Sequence, residues 1–128
     1  MYQCNADPTG RILSVSYSGH VGPNEVEGAL EAVRGLVKSM RPGFLLFTDM
    51  THIENMHPDC APGLGKIMEE CAKKGLACSV RAVAPAKDIG LNLLGRFHYP
   101  PEVRFHTHET MSEALKTLVS EYALVSVT

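Results

Sequence analysis

The chain has 128 residues, 45% hydrophobic and 20% charged, proportions that exclude a disordered polymer and suit one core hiding roughly two thirds of the unfolded surface. A net charge of -2 and a pI near 6.3, with scattered basic residues, argue against nucleic acid as a partner. No apolar run approaches the roughly 20 residues of a membrane helix, and Met1-Tyr2-Gln3-Cys4 lacks the basic and apolar regions of a secretory signal, so a cytoplasmic location is expected.

Residues 2 to 6 and 11 to 19 flank Asp7-Pro8-Thr9-Gly10, in which proline presets one turn angle and glycine supplies a positive φ. Two antiparallel strands follow from this. In the second, Leu13, Val15 and Tyr17 alternate with Ser14, Ser16 and Ser18, the period of a strand buried on one face. Gly22-Pro23 opens a helix with Glu25 in its first turn and Val26, Leu30, Val33, Val37 and Met40 as its buried stripe. Arg41-Pro42-Gly43 stops it. Phe44-Leu45-Leu46-Phe47 reads as a central strand covered on both faces and ending at Asp49. Met50 to Pro58 reads as polar and irregular.

Asp59 is placed to cap a helix bearing Leu64, Ile67, Met68 and Cys71, with Gly75 as its left-handed stop. Residues 77 to 84 predict a fourth strand. Asp88 to Phe97 predicts a short helix with Ile89, Leu93 and Phe97 inward, and Val103 to Thr107 a fifth strand. A capping box, Thr110 to Glu113, starts the last helix, with Met111, Leu115, Leu118 and Tyr122 inward. The expectation is one α/β domain over residues 1–128, order ββαβαβαβα, with a mixed sheet whose later strands run parallel through right-handed crossovers. Receiver and dinucleotide-binding domains begin with a βα unit instead.

This order, together with Gly19-His20-Val21, Phe44 to Asp49 followed by Met50-Thr51, Gly63-Leu64, Lys74-Gly75 and Glu113-Ala114-Leu115, resembles the STAS family of sulfate-transporter and anti-sigma-factor-antagonist domains over nearly the whole chain. Asp88 to Leu94 with Phe97-His98-Tyr99 is similar to an uncharacterised bacterial STAS-like subgroup. The resemblance implies a mixed sheet covered by helices and a regulatory or ligand-sensing role. In antagonist-type relatives a phosphorylated serine or threonine begins the helix after the Asp-bearing strand. Here Asp59, Cys60, Ala61 and Pro62 precede Gly63, so the usual phosphoacceptor is missing.

The residues point to a recognition surface formed by the Asp49 to Gly63 loop and the helix start, with Asp49, Thr51, His57, Asp59, Cys60 and Gly63 its members and a protein or small anionic ligand its partner. Thr51 and Asp49 also read as plain turn or cap residues. Cys60 near a helix N-terminus, with His57 close in sequence, is the sharpest nucleophile candidate, although Cys60 to Lys66 has lysine where a phosphatase loop carries arginine. A P-loop is excluded because Ile67 stands where the magnesium-binding hydroxyl belongs.

His98 and Tyr99 would sit at a helix exit near the carboxyl edge of the sheet, binding a ligand or else capping and packing. A pocket under the Asp88 to Phe97 helix would suit an apolar small molecule or lipid, since STAS domains resemble CRAL-TRIO lipid-binding domains in outline. His52, His57 and Asp59 crowd one loop, but no spacing fixes a third metal ligand; His106, His108 and Arg104 read as the solvent face of an edge strand. No metal or cofactor is therefore expected, and no enzyme activity. Cys4, Cys60, Cys71 and Cys78 form no CxxC pair and read as reduced thiols. Edges at the opening hairpin and last strand would permit a homodimer.

Overall fold

The computed structural model describes residues 1–126. Strands β1 (Tyr2–Ala6), β2 (Ile12–Val21), β3 (Leu45–Met56), β4 (Cys78–Ala82) and β5 (Arg104–His108) form one sheet in that spatial order. Only the β1 and β2 pair is antiparallel; the three later pairings are parallel. Helices α1 (Pro23–Leu36), α2 (Ala61–Lys73), α3 (Leu91–His98) and α4 (Met111–Ser126) complete the expected order.

Strand alternation decides the two faces. Leu13, Val15, Tyr17, Leu46 and Met50 join α1, α2 and α3 in the larger core, whereas Leu45, Phe47, Cys78, Val80 and Ala82 pack against Ala114, Leu118 and Tyr122 of α4. The five residues expected on the α1 stripe are all buried. In the first turn, Asp7 Oδ1 accepts N–H bonds from Arg11 and Ile12, each at 2.8 Å, and Gly10 has φ 71°. Gly75 has the predicted left-handed conformation at φ 92°. Thr110 and Glu113 form the predicted capping box, the Glu113 N–H donating to Thr110 Oγ1 at 3.3 Å.

Four expectations are corrected. The stretch Met50 to Pro58 is not irregular: β3 continues to Met56, so Asp49 and Thr51 lie within a strand. Its pattern hides because β3 carries two residues more than β2. Ser16 and Ser18 face Asp49 and His52, and Gly19 and His20 face Ile53 and Asn55. Each added residue turns a spacing of two into three, and Met50, Ile53 and Met56 are the buried positions. Beyond Asp49, β3 has no β4 partner, and Lys87 Nζ donates to the Ile53 carbonyl at 2.7 Å.

Second, α3 starts at Leu91, because the Asp88 carboxylate accepts the N–H groups of Gly90 and Leu91 at 2.9 Å each. This rotates the helix. Leu91 and Gly95 face inward, and Leu93 and Phe97 are exposed at 59% and 77%. Gly95 suits that position, since a Cβ would press on the Phe105 ring at 3.0 Å and the ring would have to give. Third, Leu115 is exposed on α4. Fourth, the face of β5 that bears Arg104, His106 and His108 is not left wholly to solvent: α4 packs on it, with Glu121 meeting Arg104 and His106 and Thr117 meeting His108, while Arg104 stays exposed.

Candidate functional site

The eight residues singled out from the sequence fall into three places. Asp49 is half-buried, and its Oδ1 accepts both the backbone N–H of Thr51 at 2.9 Å and the Thr51 hydroxyl at 2.7 Å. The pair thereby closes on itself. His57, Asp59, Cys60 and Gly63 gather at the start of α2. His98 and Tyr99 lie at the end of α3, one half-exposed and one buried.

At the α2 start the cap differs from expectation. His57 Nδ1, not Asp59, accepts the N–H of residue 59 at 3.0 Å and begins a 3-10 turn, Pro58–Cys60, that runs into α2. Asp59 stands exposed in that turn. Gly63 has a packing role: a Cβ there would meet Val26 Cγ1 at 2.8 Å, so its absence lets α1 and α2 approach. Beside this contact lies a cleft of about 180 Å³. Val26, Leu30, Cys60 and Pro62 give it an apolar floor, and Glu27, Asp59 and Lys66 contribute its charges.

The Cys60 thiol is not activated. The residue is 1% exposed, and its Sγ lies 3.5 Å from the Val21 carbonyl oxygen it donates to. Burial raises its pKa above the usual thiol value, outweighing a hydrogen bond from the His57 backbone, and the charges of Asp59 and Glu25 raise it further. Desolvation thus outweighs the lowering that the helix N-terminus could give. Alkylation of Cys60 by iodoacetamide at neutral pH is expected to run about tenfold or more below that of an unfolded control. Peptide-resolved mass spectrometry measures this; equal rates would contradict the buried thiol.

His98 does not cap helix carbonyls. Its Nδ1 meets Glu69 Oε2 of α2 at 2.5 Å, and its ring fills the space left by Gly65, where a Cβ would lie 2.5 Å from Nε2. Tyr99 packs with Phe105, ring centroids 5.7 Å apart. It lines a small cavity beneath α3, where a pocket under the Asp88 to Phe97 helix was expected, but the lining also holds Tyr17, Thr48, Ser79 and Arg81, a polar set that sequence reasoning missed. The available signal was Arg81 itself, a cation inside Val80-Arg81-Ala82-Val83.

Beneath α4, donor atoms of Cys78, His106 and Glu121 lie within 4.8 Å of one another. Arg104 occupies this carboxylate, with Nη2 at 2.5 Å and Nε at 3.2 Å from Glu121 Oε1. Burial and the Glu121 charge push the Cys78 thiol up to about 12. The group is accordingly an ion pair with a protonated thiol beside it.

Among solved structures, the chain is similar to an uncharacterized DUF3478-family protein with a SpoIIAA-like fold from Shewanella loihica, with TM-score 0.63, 13% identity and 92% of each chain covered. It is also similar to an anti-sigma factor antagonist from Mycobacterium paratuberculosis, with TM-score 0.60, 18% identity, and 93% of this chain and 95% of that one covered. Unphosphorylated SpoIIAA gives TM-score 0.59 at 12% identity, covering 93% and 98%. No family model and no curated protein matches the sequence. The chain has the SpoIIAA-like fold.

Proposed function

We propose that this chain is a protein-binding regulatory module without a reaction of its own, and that its contact surface is the cleft between the starts of α1 and α2. The observation that carries this reading is the cleft itself, an apolar floor with Glu27 and Asp59 against a single Lys66. Two carboxylates to one ammonium disfavour the small anion suggested by the helix N-terminus and suit an apolar side chain flanked by a basic one. Two of the similar structures are named anti-sigma factor antagonists, which act on other proteins, and this supports the same class of role.

The start of α2 offers no hydroxyl between Asp59 and Gly63. A hydroxyl-phosphorylation switch at that position is therefore not available to it. Thr51 is half-buried and engaged by Asp49, which makes it a poor substitute.

The test is a photo-crosslinking residue placed at Asp59, and separately at Ser120 on α4 as a control, followed by identification of the products from cell extract. A defined protein crosslinked from position 59, lost on Glu27→Lys and absent from position 120, is the expected result. Equal products from both positions would remove the cleft from consideration.

A further inference from the structure

Four polar side-chain atoms on the α1 to α3 side of the sheet, Tyr17 Oη, Ser79 Oγ, Arg81 Nη2 and Tyr99 Oη, are buried without a well-formed hydrogen bond among the described residues, although Ser79 and Arg81 lie close enough to Tyr99 to bond it weakly. All four residues line one cavity, whose remaining walls are mostly apolar, including Met50, Met68 and Leu91. Such atoms are ordinarily well paired in a native fold, so four of them around one space, at most loosely bonded to one another, leave hydrogen-bonding capacity facing it.

Arg81 sets the sign of what would fill it. The residue is 2% exposed and makes no ion pair among the described residues. Its Nη1 donates to the Thr107 hydroxyl at 3.2 Å, and its Cζ lies 5.5 Å from the Phe105 ring centroid. Neither contact supplies a negative charge. A full cation inside an apolar interior is costly unless an anion meets it.

The hydroxyls serve the same end. Burial pushes the Tyr99 phenol up to about 12, against the opposing influence of Arg81 and Ser79, and raises Tyr17 as well. Both phenols therefore remain protonated donors near neutral pH. The space open to a water molecule's centre is about 20 Å³, a little more than one water needs, so only a ligand of a few heavy atoms fits without rearrangement. One buried cation is balanced by one negative charge, and the apolar walls accept a methyl or ethyl group.

We propose that the cavity at Arg81 binds the carboxylate of a small organic acid, with Arg81, Tyr99, Ser79 and Tyr17 as its donors. This site lies inside the sheet-to-helix layer and does not depend on the surface cleft. The same head group could arrive on a longer acyl chain, whose tail would need α3 displaced.

The experiment is thermal denaturation of the full chain with sodium formate, acetate, propionate or octanoate replacing sodium chloride at constant ionic strength. A saturable rise in Tm of about 3 °C or more with at least one carboxylate is expected. A response confined to the short acids assigns a free metabolite; a larger one with octanoate assigns an acyl chain. Arg81→Met is expected to abolish the shift while melting no lower than the parent in chloride, because an apolar isostere relieves an unpaired charge.

Tyr99→Phe retains the fold and Arg81 and is expected to weaken binding about tenfold. Nuclear Overhauser effects from bound ¹³C-acetate to the methyl groups of Met50 and Met68 locate the ligand independently. Wild-type protein whose Tm is the same in every carboxylate as in chloride would overturn the proposal. So would an Arg81→Met protein that keeps the shift.

Discussion

Replacing Ile53 with alanine is expected to lower the free energy of unfolding by about 3 kcal/mol. Ile53 is 1% exposed and belongs to the core between the sheet and α1 and α2. It also sits between the two places where β3 gains a residue over β2, a buried position flanked by the exposed His52, Glu54 and Asn55, so no neighbouring strand side chain can fill the void. Urea denaturation measures the loss. Glu54→Ala next to it, exposed to solvent, should change stability by less than about 0.5 kcal/mol. An equally small effect at Ile53 would mean that this stretch is the irregular loop its composition suggests.

Glu121→Gln is expected to cost about 2 kcal/mol near neutral pH, and the cost should vanish in acid. Glu121 is 7% exposed, accepts from Arg104, and lies 3.4 Å from His106 Nε2. The hydrogen bonds from Arg104 hold its carboxyl below the ordinary value of 4.5, against the opposing pull of burial. A carboxyl depressed in the folded state binds fewer protons there than in the unfolded chain. Its stabilisation is thus complete above pH 4.5 and is lost as pH falls through the folded value. Chemical denaturation of both proteins across the acid range tests the sign: their stabilities should converge at low pH. A constant gap would assign the loss to packing instead.

The element order and the buried stripe of α1 were legible because each rests on short-range chemistry: proline at a helix start, glycine at a stop, a capping box, a period of 3.6. The failures were failures of phase. In β3, two added residues convert alternation into Met50, Ile53, Met56, which resembles neither a strand nor a helix when read alone. In α3, moving the start from Asp88 to Leu91 rotated the face, and the Leu93 and Phe97 assigned inward are outside. In β5, the polarity of Arg104, His106 and His108 suggested water, but α4 packs on that face and supplies Glu121 to Arg104 and His106 and Thr117 to His108.

The candidate site was legible in part. His57, Asp59, Cys60 and Gly63 do come together, since they are adjacent along the chain. Asp49, Thr51, His98 and Tyr99 do not join them. The Arg81 cavity joins residues from β2, β3, β4 and the end of α3, a meeting that only the sheet's parallel pairing creates.

The upper half of β3 has a further consequence for the protein's solubility. From Met50 onward this strand has a ladder partner, β2, on one side only, and on the other the turn Pro85–Lys87 lies against it in place of a strand. Bare edges template the addition of foreign strands. Lys87, reaching from the segment after β4 to the Ile53 carbonyl, places a charge on that edge, and His52, Glu54 and Asn55 keep its exposed positions polar. Lys87 is on this account a gatekeeper: neutralising its ammonium would leave the core of the sheet open to self-association along a seam that the outer strands do not guard.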